Sequence, residues 1–263
     1  MHPLPDEHAR FLAEAVARLA ADPRVVGVAG GGSLVTGNID EFSDLDLVIV
    51  VDDEAYEGVL AARRTLAAAL GTLLECFTGE HVGEPRLLIC LYGPPLLHVD
   101  LKFVPLRDAH VRVEDPVILY EREARLSAAL SRGAARFPEP DQAWLGERFW
   151  IWVHYGATKI GRGELFEALD FLSFLRGSVL GPLILEKVGS RPSGVRRLEV
   201  AAPTWAKELE RTVATHDARQ CLDALEAAVS LYRRLRPEST AESATERAVM
   251  AYVADVRSLV DAR

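Results

Sequence analysis

The 263-residue sequence has few cysteines, only two methionines and no surplus of basic charge. Its three cysteines, Cys76, Cys90 and Cys221, are an odd, widely spaced set without a C-x-x-C pair. That argues against both a disulfide framework and a zinc ribbon, so the thiols read as core residues. No uninterrupted apolar run reaches the roughly 20 residues needed to span a bilayer. The opening Met-His-Pro-Leu-Pro-Asp-Glu lacks the basic and apolar regions of a secretory signal. The expectation is a soluble, cytoplasmic chain with no membrane partner. Lys and Arg number 30 against 39 Asp and Glu, a net charge of −9. Proteins that grip long nucleic acid draw much of their affinity from basic side chains. The acidic balance therefore weighs against long nucleic acid and fits a small cationic partner better.

What is present divides in two. Apolar spacing of helical type runs from about Glu7 to Ala21 and stops at Asp22-Pro23. Val25 to Ala29 reads as a buried strand ended by Gly30-Gly31-Gly32. Leu45 to Val51 is a second apolar run, interrupted only by Asp46. Ala55 to Leu70 predicts a helix. Thr72 to Thr78, Arg86 to Tyr92 and Leu96 to Val104 predict strands, the last two joined as a hairpin through Gly93-Pro94-Pro95. Gly, Pro and charge gather between Arg132 and Pro140, a candidate linker. Beyond it, helical periodicity covers Trp144 to Lys159, Leu165 to Leu180, Trp205 to Thr215, Ala218 to Leu235 and Ala241 to Leu259. The expected architecture is α/β (α+β). A mixed-sheet domain with flanking helices spans residues 1–132, and an α-helical bundle spans residues 141–263.

The chemistry concentrates between Gly30 and Val50. Glycines after a buried strand let backbone N–H groups approach a phosphate closely, and Ser33 adds a hydroxyl. The chain then re-enters the sheet through Asp44-Leu45-Asp46. Side chains alternate along a strand, so Asp44 and Asp46 share one face while Leu45 and Leu47 enter the core. Two carboxylates so placed repel each other unless a cation lies between them. Mg²⁺ suits such a site, because it takes hard oxygen ligands and shares its sphere with substrate phosphates. A third acid, Asp100, sits in the alternating run Leu97 to Val104, on one face with His98 and Lys102. If that strand lies beside Asp44–Asp46, three acids cluster and two metal ions can be held. Lys102 reads either as an outward lysine or as a phosphate contact. Glu75, interrupting Leu73 to Phe77, is a reserve acid.

Gly32-Ser33, ten residues, Asp44-Leu45-Asp46-Leu47 and then a strand bearing Asp100 together resemble the polymerase-β-like nucleotidyltransferase superfamily, over about Val25 to Val104. The resemblance implies that Gly32 and Ser33 hold a triphosphate. It implies that Asp44 and Asp46 bind metal, and that Asp100 completes the metal site or assists deprotonation of the acceptor. The stretch Arg148 to Asp170 is similar in flavour to the helical domain of aminoglycoside and lincosamide nucleotidyltransferases, which implies a nucleotide-facing role for Lys159 beside Arg162-Gly163-Glu164-Leu165. The activity so implied is transfer of a nucleoside monophosphate, AMP from ATP by family habit, to the hydroxyl of a small molecule with two Mg²⁺ ions. Alternatives are transfer to tRNA or protein, or a nucleotide-binding module without turnover. Asp100, Glu147 and Glu164 are candidate general bases. The aromatic segment Trp144 to Tyr155 and His154 read as helix packing rather than a ligand wall. Arg191 to Arg197 reads as a basic loop, either solvated or phosphate-binding.

Overall fold

The computed structural model describes residues 4–237 and 241–263. The first three residues of the N-terminal stretch read above lie outside them. The chain divides into two compact units that part between Phe137 and Pro138.

Among the described residues, the N-terminal unit is built on one six-stranded mixed sheet in the order β3-β4-β5-β2-β1-β6. The strands are β1 (Val25–Gly30), β2 (Leu45–Val51), β3 (Leu73–Gly79), β4 (Glu84–Tyr92), β5 (Leu97–Pro105) and β6 (Val117–Glu121). Only β2 and β5 pair in parallel; every other neighbouring pair is antiparallel. Strand β1 is buried along its whole length, as its unbroken apolar run requires. Strands β2 and β5 alternate instead. Leu45, Leu47, Ile49, Val99, Leu101 and Phe103 enter the main core, and the residues between them face the other side. Helices α1 (Asp6–Ala21), α3 (Tyr56–Ala61) and α4 (Arg63–Leu70) cover the core face. On the opposite face a smaller cluster packs Val26, Ala29 and Val50 under α5 (Arg125–Leu130). That leaves the same face of β3, β4 and β5 open, with Phe77 and Leu91 exposed.

Three sequence expectations change. The helix expected over Ala55 to Leu70 is broken at Ala62, where the Arg63 guanidinium donates to the Leu60 carbonyl and ends the first segment. Strand β6 and helix α5 lie in a stretch with no assigned element, although Val117-Ile-Leu-Tyr120 has strand composition. In the C-terminal unit the helix expected to stop at Leu180 continues. Helix α7 (Leu165–Leu175) passes through a wide turn at Arg176–Leu180 into α8 (Gly181–Lys187). Pro182 falls in the first turn of α8, where the missing N–H costs nothing. Gly181 lies so close to the Gly194 carbonyl that a β-carbon would come within 2.3 Å of it.

The C-terminal unit is otherwise α-helical among the described residues: α6 (Gln142–Arg162), α9 (Leu198–Ala201), α10 (Pro203–Glu210), α11 (Ala218–Leu235) and α12 (Ala244–Asp261). Asp141, Asp217 and Ser243 cap α6, α11 and α12 by accepting from backbone N–H groups. The run Leu165–Lys187 is long and apolar enough to cross a bilayer, with a mean hydropathy of 1.5. Its Leu172, Leu175, Leu180 and Ile184 are nonetheless fully buried among the other helices of the unit. Phe149 stacks on Tyr232 at 3.6 Å between ring centroids. The Glu246 side chain, 1% exposed, accepts from Arg233 at 2.8 Å and Arg236 at 2.7 Å. Burial pushes its carboxyl up, but the two guanidiniums outweigh burial and hold it below the usual carboxylate range.

A lowered folded-state value means that this stability is present above the ordinary carboxylate pKa and is lost as pH falls through the lowered one. Glu246→Gln leaves two guanidiniums without their anion and should destabilise the chain by about 3 kcal/mol at neutral pH. The variant should also lose stability less steeply in acid. Urea unfolding at pH 7 and pH 3 checks both; an unchanged midpoint at pH 7 would remove Glu246 from the ledger of this core.

Candidate active site

Parallel pairing of β2 with β5 sets Asp46 directly beside Asp100. Neighbouring strands lie about 4.8 Å apart, so both carboxylates leave the sheet side by side on its second face. Asp44 lies one residue before β2, and the alternation of half-buried Asp44 and Asp46 with buried Leu45 and Leu47 turns both acids to that face. The loop ahead of Asp44 is held twice. Asp40 closes a turn by accepting from the Phe42 N–H and the Ser43 hydroxyl. From α1, the buried His8 ring donates through Nε2 to the Ser43 carbonyl at 2.7 Å.

The glycine turn fits against the same acids. The Gly31 N–H donates to the Asp46 carbonyl at 2.9 Å. Gly32 has φ 55° and ψ −124°, a conformation that suits glycine alone. A β-carbon there would fall 2.0 Å from Asp46 Oδ2. The turn leads into α2 (Ser33–Thr36), a single helical turn closed by Gly37. Ser33 Oγ is buried and has no hydrogen-bond partner. A buried hydroxyl rarely stays unpaired without a functional or ligand-related reason.

One residue at the turn has no counterpart in the sequence reading. The Gly32 N–H donates to Glu114 Oε1 at 2.8 Å. Topology brings Glu114 there: β6 runs antiparallel to β1 with Val117 opposite Gly30, so the segment entering β6 lies beside the segment leaving β1. No motif marks Glu114. Recognising β6 as a neighbour of β1 was the signal that would have found it.

Other expected site residues are placed as follows. Asp100 Oδ1 lies 3.0 Å from His98 Nε2. Lys102 pairs with Glu84 at 2.7 Å, which makes it a sheet-face ion pair. Arg86 first, and Lys102 with it, hold the Glu84 carboxyl down at about 2. Glu75 lies on β3, two strands from Asp100, and accepts from the Cys76 N–H. With Phe77, Ile89, Leu91 and His98 it lines a shallow cavity of about 270 Å³ on the open sheet face. All three cysteines are buried, and burial pushes Cys90 up to about 12. Among the described residues no three His, Cys, Asp or Glu side chains stand together in an arrangement that holds a metal ion. The structure thus pairs Asp46 with Asp100 and sets Asp44 on the same face, without closing them into a finished ligand set. The residues still fit a phosphate-bound divalent ion: paired hard-oxygen donors, an unpartnered buried hydroxyl and a turn with room only for glycine.

In the C-terminal unit, Lys159 Nζ contacts Glu164 at 2.8 Å and Glu167 at 3.0 Å, and lies over the Tyr155 ring. Glu164 and then Glu167 hold its pKa above the ordinary lysine value. Glu147 pairs with Arg148 and is well exposed. Phe149 and Trp150 are core residues, while the exposed Trp144 carries the Arg148 guanidinium at 4.3 Å. His154 rests against the Tyr252 ring.

Residues 10–88 match the model of the nucleotidyltransferase domain. The N-terminal unit therefore carries a nucleotidyltransferase domain, and the matched span contains Gly32, Ser33, Asp44 and Asp46. Solved structures that resemble the chain include an aminoglycoside 6-adenyltransferase from Bacillus subtilis. It is 16% identical, with a TM-score of 0.33, over 95% of this chain and 96% of that one. A nucleotidyltransferase-like protein from Exiguobacterium sibiricum is 14% identical, with a TM-score of 0.35, over 97% of this chain and 86% of that one. No curated protein matches the chain.

The contact between Gly32 and Asp46 yields a direct prediction. Gly32→Ala should destabilise the chain by about 2 kcal/mol through the strained backbone and the clash. In an Asp46→Ala background, the clash with Oδ2 is gone and the cost should fall. Thermal melts of the four proteins measure the coupling, and equal costs in both backgrounds would contradict the contact.

Proposed function

We propose that the chain transfers a nucleoside monophosphate, AMP from ATP, to a hydroxyl of a small-molecule acceptor and releases pyrophosphate. One observation carries this reading: the glycine-serine turn presses on Asp46 while β5 sets Asp100 beside the same residue. A seat for phosphate and a pair of hard anionic ligands thus meet at one point of the sheet.

Each residue then has a task. Gly32 lets the chain pass close to a phosphate, and Ser33 Oγ supplies the donor that has no partner within the protein. Asp44, Asp46 and Asp100 supply oxygen ligands for Mg²⁺. When bound, the metal neutralises charge on the triphosphate and makes the acceptor hydroxyl more acidic. In-line attack on the α-phosphorus then depends on positioning and charge compensation rather than on a covalent protein intermediate. Asp100 is the group we assign to receive the acceptor proton, with His98 Nε2 3.0 Å from its Oδ1 to hold the carboxylate in place. An acidic chain of net charge −9 suits a cationic small acceptor better than tRNA.

The test follows label from α-labelled ATP, with Mg²⁺, onto aminoglycosides, lincosamides, bulk tRNA and the protein itself. Label should appear on a small hydroxyl acceptor. Asp44→Asn and Asp46→Asn should each lower the rate by at least about 100-fold, the order of effect of removing a group that stabilises transition-state charge, with unchanged thermal unfolding. Near-full activity in either variant would sink the metal-site assignment. Label on tRNA or on the protein alone would replace the acceptor class.

A further inference from the structure

The Gly32 amide, assigned above to the triphosphate, already has an anion on it. Glu114 Oε1 accepts its hydrogen at 2.8 Å. The same oxygen lies 3.1 Å from the point where a β-carbon of Gly31 would stand, and the Asp46 β-carbon lies 3.4 Å from that point. Glu114 therefore reaches into the angle between the glycine turn and Asp46. It adds a carboxylate to a place that already holds acids.

A structural role for this contact is the alternative to weigh. The segment carrying Glu114 is anchored without it. Arg112 donates to the carbonyls of His110 and Leu130 and pairs with Asp115 at 2.6 Å, and Val117 pairs with Gly30 in the sheet. At the turn, Glu114 satisfies the Gly32 amide, a donor that a ligand could otherwise take. A carboxylate oxygen and a phosphate oxygen make the same charge-assisted hydrogen bond to such an N–H. One oxygen takes that bond at a time.

We propose that Glu114 is a specificity-determining residue that occupies the phosphate seat of Gly32 and yields it to a metal-loaded polyphosphate in preference to a metal-free one. This rests on the nucleotidyltransferase reading. A bare polyphosphate arriving at Gly32 meets Glu114 and Asp46 as like charges and must displace a bonded anion. A polyphosphate carrying Mg²⁺ brings a cation that gives the displaced Glu114 carboxylate a counter-charge. The residue thereby keeps inorganic phosphate and other free anions out of the turn.

Glu114→Gln keeps the side chain's shape and a carbonyl acceptor while removing its charge, and Glu114→Ala removes the acceptor. Calorimetric titration with tripolyphosphate and with α,β-methylene ATP, each with and without Mg²⁺, gives the ratio of metal-free to metal-loaded Kd. Glu114→Gln should bind the metal-free ligands roughly tenfold more tightly, so the ratio should fall by a similar factor. An unchanged or larger ratio would overturn the proposal. Absence of binding in wild type and both variants would overturn both the proposal and the nucleotidyltransferase reading. Wild-type binding with an unaltered ratio would overturn only the role of Glu114. Hydrogen exchange of the Gly32 amide provides a readout without any ligand. It should be protected in wild type and faster in Glu114→Ala, and equal rates would also overturn the proposal.

Discussion

The parallel pairing of β2 with β5 is the constraint on which the site depends. These are adjacent strands in a sheet whose other pairs run antiparallel, and their register sets Asp46 against Asp100. A slip of one residue in either strand would send its acid into the core and bring its apolar residues, Leu45 and Leu47 or Val99 and Leu101, to the other face. The hydrophobic face therefore fixes the acidic one. The apolar residues that stabilise the unit also hold two like charges side by side, where isolated carboxylates would move apart. The remaining pieces attach to this pair. The Gly31 N–H bonds to the Asp46 backbone, Gly32 folds over its carboxylate, and the turn ahead of Asp44 is tied to α1 through His8.

Much of this was legible in the sequence because it rests on short-range pattern. Alternation in Leu45-Asp46-Leu47 and Val99-Asp100-Leu101 is a local property of strands, and it gave the faces of both acids. Three glycines after an apolar run marked the turn. The Gly93-Pro94-Pro95 hairpin and most helices of the C-terminal unit follow from equally local signals. The presence of Asp46 and Asp100 on neighbouring strands came from a family pattern, because pairing partners 54 positions apart leave no local trace.

The parts not read were non-local or hidden by competing signals. Glu114 owes its place to β6 pairing with β1, and one acid in the segment Arg112 to Pro116 carries no mark of that neighbour. The partners of Lys159, Glu164 and Glu167, lie beyond the break at Gly163, where helical spacing no longer relates side chains. Helical spacing was read only as far as Leu180, just ahead of Gly181-Pro182. In the structure proline falls in the opening turn of a helix that the wide turn before it keeps going, and burial of Leu180 and Ile184 supports the continuation.

In the proposed function a polyphosphate and its metal lie on one side of one sheet, between the glycine turn and the β2–β5 pair. Diffraction from crystals grown with Mn²⁺ and α,β-methylene ATP tests that placement most directly, because manganese reports its own position by anomalous scattering. Anomalous density is expected between the carboxylates of Asp44 and Asp46, with phosphate density at Gly32 and Ser33. Manganese bound away from both aspartates, or nucleotide bound away from the glycine turn, would contradict it.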